Sequence, residues 1–169
     1  MTSSSVQTII LALNEAGVRY LVVGGLAVVA HGHVRFTADV DLVLDFDEEN
    51  LHRAVEVFAG LGFRPRAPVP LKDFANAEIR AGWIREKGLT VFSLFSDDHP
   101  LTEVDLFVAD PFRFDQVYAR RVSMAIAPDV EATFVGFDDL VRMKKTAGRP
   151  QDLSDIEQLE DLTGERDDD

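Results

Sequence analysis

Residues 20–44 read YLVVGGLAVVAHGHVRFTADVDLVL, and this stretch decides the fold. An apolar run ends at Gly24-Gly25, a short helical segment follows, and a second apolar strand opens on Asp39-Val40-Asp41. Successive side chains of a strand point to opposite faces, so Asp39 and Asp41 share one face and Val40 and Leu42 the other. Two carboxylates that close raise each other's pKa unless a cation sits between them. A hard divalent ion such as Mg²⁺ suits such a pair, because it commonly takes one or two carboxylates and fills its remaining sites with water and phosphate oxygens.

Outward from this centre, the chain reads as one α/β domain. Residues 5–16 carry a helical stripe at Val6, Ile9, Ile10 and Leu13 behind capping serines, and Gly17 ends it. Val18 to Val23 is expected as a strand, and Leu26 to about His31 as a helix. Asp47 caps a helix to Leu61 whose inner stripe is Leu51, Ala54, Val55, Phe58 and Ala59. The proline-bearing residues 62–77 read as strand edge and loop. Glu78 to Glu86 and Leu89 to Phe95 read as two strands joined at Lys87-Gly88. Leu101 to Val108 is a strand with Glu103 and Asp105 on one face. Residues 111–119 form a short helix, and 121–127 and 131–135 are extended segments around Pro128. Two helices close the domain, 137–147 and 150–163, with Pro150 in the first turn of the second.

With 169 residues, 46% of them apolar, the chain can bury a full core. The absence of cysteine excludes disulfides and thiolate catalysis. The net charge of −13 is concentrated at the end: residues 151–169 hold one Arg and nine acids. An acidic tail over 165–169, after a domain spanning 1–164, is the expectation. A broad nucleic-acid face would require clustered positive charge, which the composition argues against. No run suits a bilayer crossing and the N-terminus lacks a leader pattern, so the expected location is cytoplasmic and away from membranes.

Three acidic strand positions, Asp39, Asp41 and Asp105, stand where a purely structural strand would carry Val, Ile or Thr. Buried together they need a metal or basic side chains. A glycine pair before a helix can bring backbone close to phosphate, although it is also an ordinary strand-to-helix turn. Lys144 falls on the inner stripe of helix 137–147, at i+4 from Leu140, and an inward lysine needs an anion unless its head reaches water. Arg149 has a weaker claim. Arg35 and Thr37, just before the aspartates, are candidates for phosphate contact or for loop hydrogen bonds. His31 and His33 lack zinc spacing, and His31 reads as structural. Asp152 and Asp155 suit the first turns of a helix, where acids complement the dipole. Trp83 and Phe92 read as core.

The combination of Gly24-Gly25, Asp39-Val40-Asp41 and the later Val104-Asp105-Leu106-Phe107 resembles the DNA polymerase β-type nucleotidyltransferase superfamily. Within it, GGLAVVAHGHVRFTADVDL resembles the minimal nucleotidyltransferases and the AbiE-type toxin branch, with their GG…H-G…R-x-T-x-D-x-D run. Residues 143–156, MKKTAGRPQDLSDI, look like that branch too. The resemblance implies a small twisted mixed sheet with flanking helices and two short C-terminal helices. It implies that Asp39, Asp41 and Asp105 are catalytic and hold two Mg²⁺ ions, with Mn²⁺ a possible substitute. It makes Gly24, Gly25, Arg35, Thr37, Lys144 and Arg149 nucleotide contacts, and it pairs Asp152 and Asp155 with Lys144 or Arg149. The implied reaction moves an NMP from an NTP to an acceptor hydroxyl of RNA such as tRNA, of protein or of a small molecule. A toxin of this kind would be masked by an antitoxin. The alternative is a catalytically silent nucleotide-binding or partner-binding module of the same fold; a metal-dependent phosphohydrolase is a third reading.

Overall fold

The computed structural model describes residues 4–31 and 39–167, with side chains up to residue 162. Seven strands form one mixed sheet: β1 (Tyr20–Val23), β2 (Asp39–Leu44), β3 (Arg64–Pro65), β4 (Val91–Phe95), β5 (Glu103–Phe107), β6 (Val122–Ala127) and β7 (Val130–Phe134). Their order across the sheet is β3-β4-β5-β2-β1-β7-β6. The helices are α1 (Ser5–Glu15), α2 (Gly24–Ala30), α3 (Glu48–Gly60), α4 (Ala77–Lys87), α5 (Phe114–Ala119), α6 (Phe137–Ala147) and α7 (Pro150–Asp167), with a 3₁₀ turn over Leu71–Ala75.

The centre of the sheet explains the sequence pattern. β2 runs antiparallel to β1 and parallel to β5, and β5 is antiparallel to β4. On one face Val40, Leu42, Phe92, Leu94, Val104 and Leu106 are buried, and their alternating neighbours Asp39, Asp41, Ser93, Glu103 and Asp105 are not fully buried. The apolar face carries the core, which frees the opposite face for polar groups at the price of only those positions.

The helix caps follow their local chemistry. Ser4 and Gln7 form a capping box at the head of α1, and Asp47 caps α3 through the Asn50 amide. On α3, Leu51, Ala54 and Phe58 are buried as expected, Val55 is only half-buried and Ala59 is exposed; the buried Asn50 takes part in the inner stripe instead. Asn50 earns its place by accepting from the Arg19 amide and donating to the Arg19 and Asp45 carbonyls.

One expected strand is a helix. Glu78–Glu86 lies within α4, so no hairpin joins it to β4. Alternation at Ile79, Ala81 and Trp83 imitates a strand, but the ends decide: the Asn76 side chain accepts from the amides of Glu78 and Ile79, both at 3.0 Å. Gly88 closes the helix in the left-handed conformation at φ 61°. Trp83 and Phe92 are buried as expected, and their rings stack at 4.9 Å. The last helix is not short: α7 has 18 residues and runs to Asp167, beyond the expected end at 163.

Among the described residues, no helix is long and apolar enough to cross a membrane.

Candidate active site

The parallel pairing of β2 and β5 places Asp41 directly beside Asp105, and Asp39 beside Glu103. Two carboxylates separated by more than sixty residues of sequence are thus brought onto one sheet face by register alone. Ser93, opposite Asp105 on β4, donates its hydroxyl to Asp105 Oδ1 at 2.6 Å. That bond orients the carboxylate and leaves Oδ2 for another partner. Glu103 is not part of the pair; Arg66 Nε holds its Oε1 at 2.6 Å.

The carboxylates repel. Burial first, then Asp105 and Asp39, push the Asp41 carboxyl up to about 7, although Lys144 and Arg149 draw it down. Partial burial, Asp105 and Glu103 also raise Asp39. Hard oxygen donors that repel one another in this way fit a divalent cation, which would remove the repulsion. Among the described residues no cluster of three or more His, Cys, Asp or Glu side chains forms a ready metal cage. Asp41 and Asp105 are thus a pair, with Asp39 one pleat away beside Glu103, and such a pair suits an ion that takes its remaining ligands from water and substrate phosphate.

Gly24 lies against this pair. Its φ is 69°, and a Cβ built there would lie 2.8 Å from Asp41 Cγ and run into Oδ2. Only glycine lets the turn after β1 approach the carboxylate so closely. Gly24→Ala is expected to cost about 1–2 kcal/mol through backbone strain alone, and more through displacement of Asp41. Chemical denaturation together with a transfer assay checks this: a variant with unchanged stability and activity contradicts it. Gly25, by contrast, is buried within α2.

Across the cleft, α6 and the link between α6 and α7 carry the cations. Lys144 is inward as its stripe position predicts, with its side chain 6% exposed. Its Nζ lies 3.1 Å from Asp152 Oδ1 and 3.3 Å from Asp155 Oδ2, side chains that are 1% and 0% exposed. Such burial rules out a head that reaches water. Arg149 reaches the same group, its Nε 2.6 Å from Asp152 Oδ2. Burial pushes Asp152 up, but hydrogen bonds from Arg149 and Lys144 outweigh it and hold this carboxyl below its ordinary value. The helix dipole is thus only a small part of what these acids do: Asp152 fixes both cations on the wall facing Asp41. Lys144 and Arg149 are the partners that the sequence resemblance implied for these acids; the burial of Asp152 had no mark in the sequence.

A cleft of about 590 Å³ lies between these walls, lined among others by Gly24, Asp41, Asp105, Lys144, Arg149 and Asp152. This size suits a small organic ligand. A second buried acid, Asp139, lines it too and is gripped by Nε and Nη2 of Arg120, each at 2.9 Å, and by Arg142 at 3.2 Å. The composition around residues 136–142 contains no clear motif for that clamp. His31 is structural as expected: its Nε2 lies 2.9 Å from the Val135 carbonyl oxygen and its ring meets Phe137 edge-on. Arg35, Thr37 and His33 lie outside the described residues.

A carboxylate pair on parallel strands, a glycine turn against it and cations facing it across a cleft suit a metal-bound polyphosphate. The chain belongs to the family DUF6036, described as a nucleotidyltransferase of unknown function, whose pattern matches residues 5–167. It is therefore an enzyme of nucleotidyl transfer. Its fold is similar to that of the lincosamide antibiotic adenylyltransferase LnuA in its lincomycin-bound crystal structure. The TM-score is 0.57 at 12% identity, over 94% of this chain and 98% of that one. No curated protein sequence matches the chain.

Proposed function

We propose that this chain transfers an NMP from an NTP to an acceptor hydroxyl in a Mg²⁺-dependent reaction at the cleft between Asp41–Asp105 and Lys144–Arg149. The observation that carries the reading is the side-by-side placement of Asp41 and Asp105 beneath Gly24. Asp39, Asp41 and Asp105 would hold the ions. When bound, Mg²⁺ (or Mn²⁺) would neutralise phosphate charge and the repulsion among these acids.

The residues divide the remaining work. Lys144 and Arg149 bind the outer phosphates, and the charge of the departing pyrophosphate grows against cations already fixed by Asp152. Gly24 keeps the turn after β1 free of bulk beside the phosphates, Gly25 opens the buried side of α2 behind it, and Arg35 and Thr37 complete the phosphate contacts. Asp105, with Oδ1 held by Ser93, orients the acceptor hydroxyl and receives its proton at Oδ2. The acceptor oxygen bonds to the α-phosphorus as the bond from that phosphorus to the pyrophosphate oxygen breaks. Positioning and fixed charge supply the catalysis.

Ser93→Ala is expected to lower kcat several-fold, up to about tenfold, with little change in KM for the NTP, since about 1 kcal/mol of net hydrogen bonding is lost. Steady-state kinetics check this; an effect confined to KM contradicts the orienting role.

The Lys144, Arg149, Asp152 and Asp155 network supports a place near the AbiE-type branch. On that reading the chain acts in the cytoplasm as a toxin, its acceptor is a cellular RNA or protein, and an antitoxin covers the cleft. The function is tested by incubating all four α-labelled NTPs with Mg²⁺, cell extract and either wild type or Asp105→Asn. Label in a single macromolecular or small-molecule fraction from the wild type alone is expected. Equal labelling by both proteins overturns the assignment.

A further inference from the structure

The cleft changes character along its length. Two residues beyond Asp105 on the same face of β5 stands Phe107, about 7 Å further along the strand, and Val91 of β4 is its register partner. Pro111 and Phe112, which follow β5, extend this apolar surface, and Met143 of α6 joins it. The cleft therefore has a charged part, with Asp41, Lys144 and Arg149, and an apolar part that begins one pleat beyond Asp105. A nucleotide has the same division, phosphates at one end and a flat, largely apolar base at the other.

Few groups in the apolar part can read a base by hydrogen bonds. The Thr146 hydroxyl already donates to the Arg142 carbonyl at 3.1 Å, and Asp139 is taken by Arg120 and Arg142. Among the described residues, the side-chain groups that remain are the Thr90 hydroxyl and the rest of the Arg142 guanidinium, whose Nη1 already donates to Asp139. A pocket of this kind discriminates by size and contact area, whereas a pocket built from buried donors and acceptors discriminates by pattern. Stacking on aromatic rings is tolerant of base identity and strengthens with ring area.

We propose that the apolar part of the cleft, formed by Val91, Phe107, Pro111, Phe112 and Met143, receives the nucleobase, and that the enzyme prefers purine to pyrimidine triphosphates with little separation of adenine from guanine. This rests on the transfer reading above. Phe112 is the specificity-determining ring: it is half-buried and lies outside the strands and helices, so its replacement leaves the sheet register alone.

The test is a binding titration of the full chain with Mg²⁺ and each of five probes: the α,β-methylene analogues of ATP, GTP, CTP and UTP, and inorganic tripolyphosphate. The purine analogues are expected to bind about tenfold tighter than the pyrimidine analogues and than tripolyphosphate. Phe112→Ala is expected to weaken the purine analogues about tenfold and to leave tripolyphosphate unchanged. Phe112→Leu, which keeps apolar bulk and removes the ring face, is expected to fold as wild type and to weaken the purine analogues several-fold. Equal binding of all five probes, a pyrimidine preference, or an equal loss for tripolyphosphate in the Leu variant overturns the base assignment while leaving transfer intact. Failure of every probe, tripolyphosphate included, to bind with Mg²⁺ overturns the transfer reading and this one together.

Discussion

Asp41→Asn is expected to abolish nucleotidyl transfer while making the metal-free protein more stable. The activity loss follows from removing one of the three carboxylates that would hold the ions, and a loss on the order of 10³-fold in kcat is expected from losing one such fixed electrostatic contact. The stability gain follows from the raised pKa. Asp41 titrates near 7 in the folded chain, against an ordinary value of 3.8. Between these values the native state binds more protons than the unfolded chain, so stability falls as pH rises through that window. Above pH 7 the full penalty of a charged Asp41 is present, on the order of 4 kcal/mol if the whole shift is expressed. Asparagine carries no charge and escapes it. At pH 8 in a chelator, Asp41→Asn is expected to melt several degrees above wild type, and the gap is expected to close near pH 4. Added Mg²⁺ is expected to stabilise the wild type and not the variant. Thermal melts across pH, with and without Mg²⁺, measure this; a variant less stable than wild type at pH 8 contradicts it.

Lys144→Met is expected to be the most damaging single change to the fold. The lysine is buried with Asp152 and Asp155, within 3.1 and 3.3 Å of their oxygens. Methionine preserves the bulk of the stem but leaves two buried carboxylates with one cation fewer. Breaking a buried pair in this way costs about 3–5 kcal/mol. Arg149 still grips Asp152, whereas Asp155 loses the Nζ that lies 3.3 Å from its Oδ2 and keeps the Gln151 side-chain amide on its Oδ1 at 2.8 Å, so the greater part of the damage falls on Asp155. Asp155→Asn in the Lys144→Met background is accordingly expected to recover a large part of the loss without restoring activity. Urea denaturation of the single and double variants checks both statements. A single variant within about 1 kcal/mol of wild type would place Lys144 among exposed ion pairs, contrary to its burial.

The sheet was legible because its signal is local. Alternation at Asp39-Val40-Asp41-Leu42 and at Glu103-Val104-Asp105-Leu106 reports which face each residue takes, and a partly exposed face tolerates acids that a core would not. The i+4 spacing of Lys144 from the buried Leu140 likewise announced that Lys144 turns inward. Register was not legible, and it is register that sets Asp41 against Asp105 and brings Ser93 to Oδ1; a serine in an apolar strand carries no mark of its distant partner. Residues 78–86 misled because Ile79, Ala81 and Trp83 alternate by chance on a segment whose fate is set by Asn76 and Gly88 at its ends. Burial of Asp139, Asp152 and Asp155 depends on cations that arrive from other elements, Arg120 most plainly, so it becomes visible only once the chain is folded. Arg35 and Thr37 lie outside the described residues, and their part in phosphate binding rests on the sequence resemblance.

The central claim is that the carboxylate pair drives attack on the α-phosphorus with departure of pyrophosphate. The most direct measurement counts products: pyrophosphate, orthophosphate and acceptor-linked NMP from one NTP in the presence of Mg²⁺ and a labelled acceptor fraction. One pyrophosphate for each NMP transferred, abolished in Asp105→Asn, is the predicted result. Release of orthophosphate with no acceptor labelling would contradict it and make the site a phosphohydrolase.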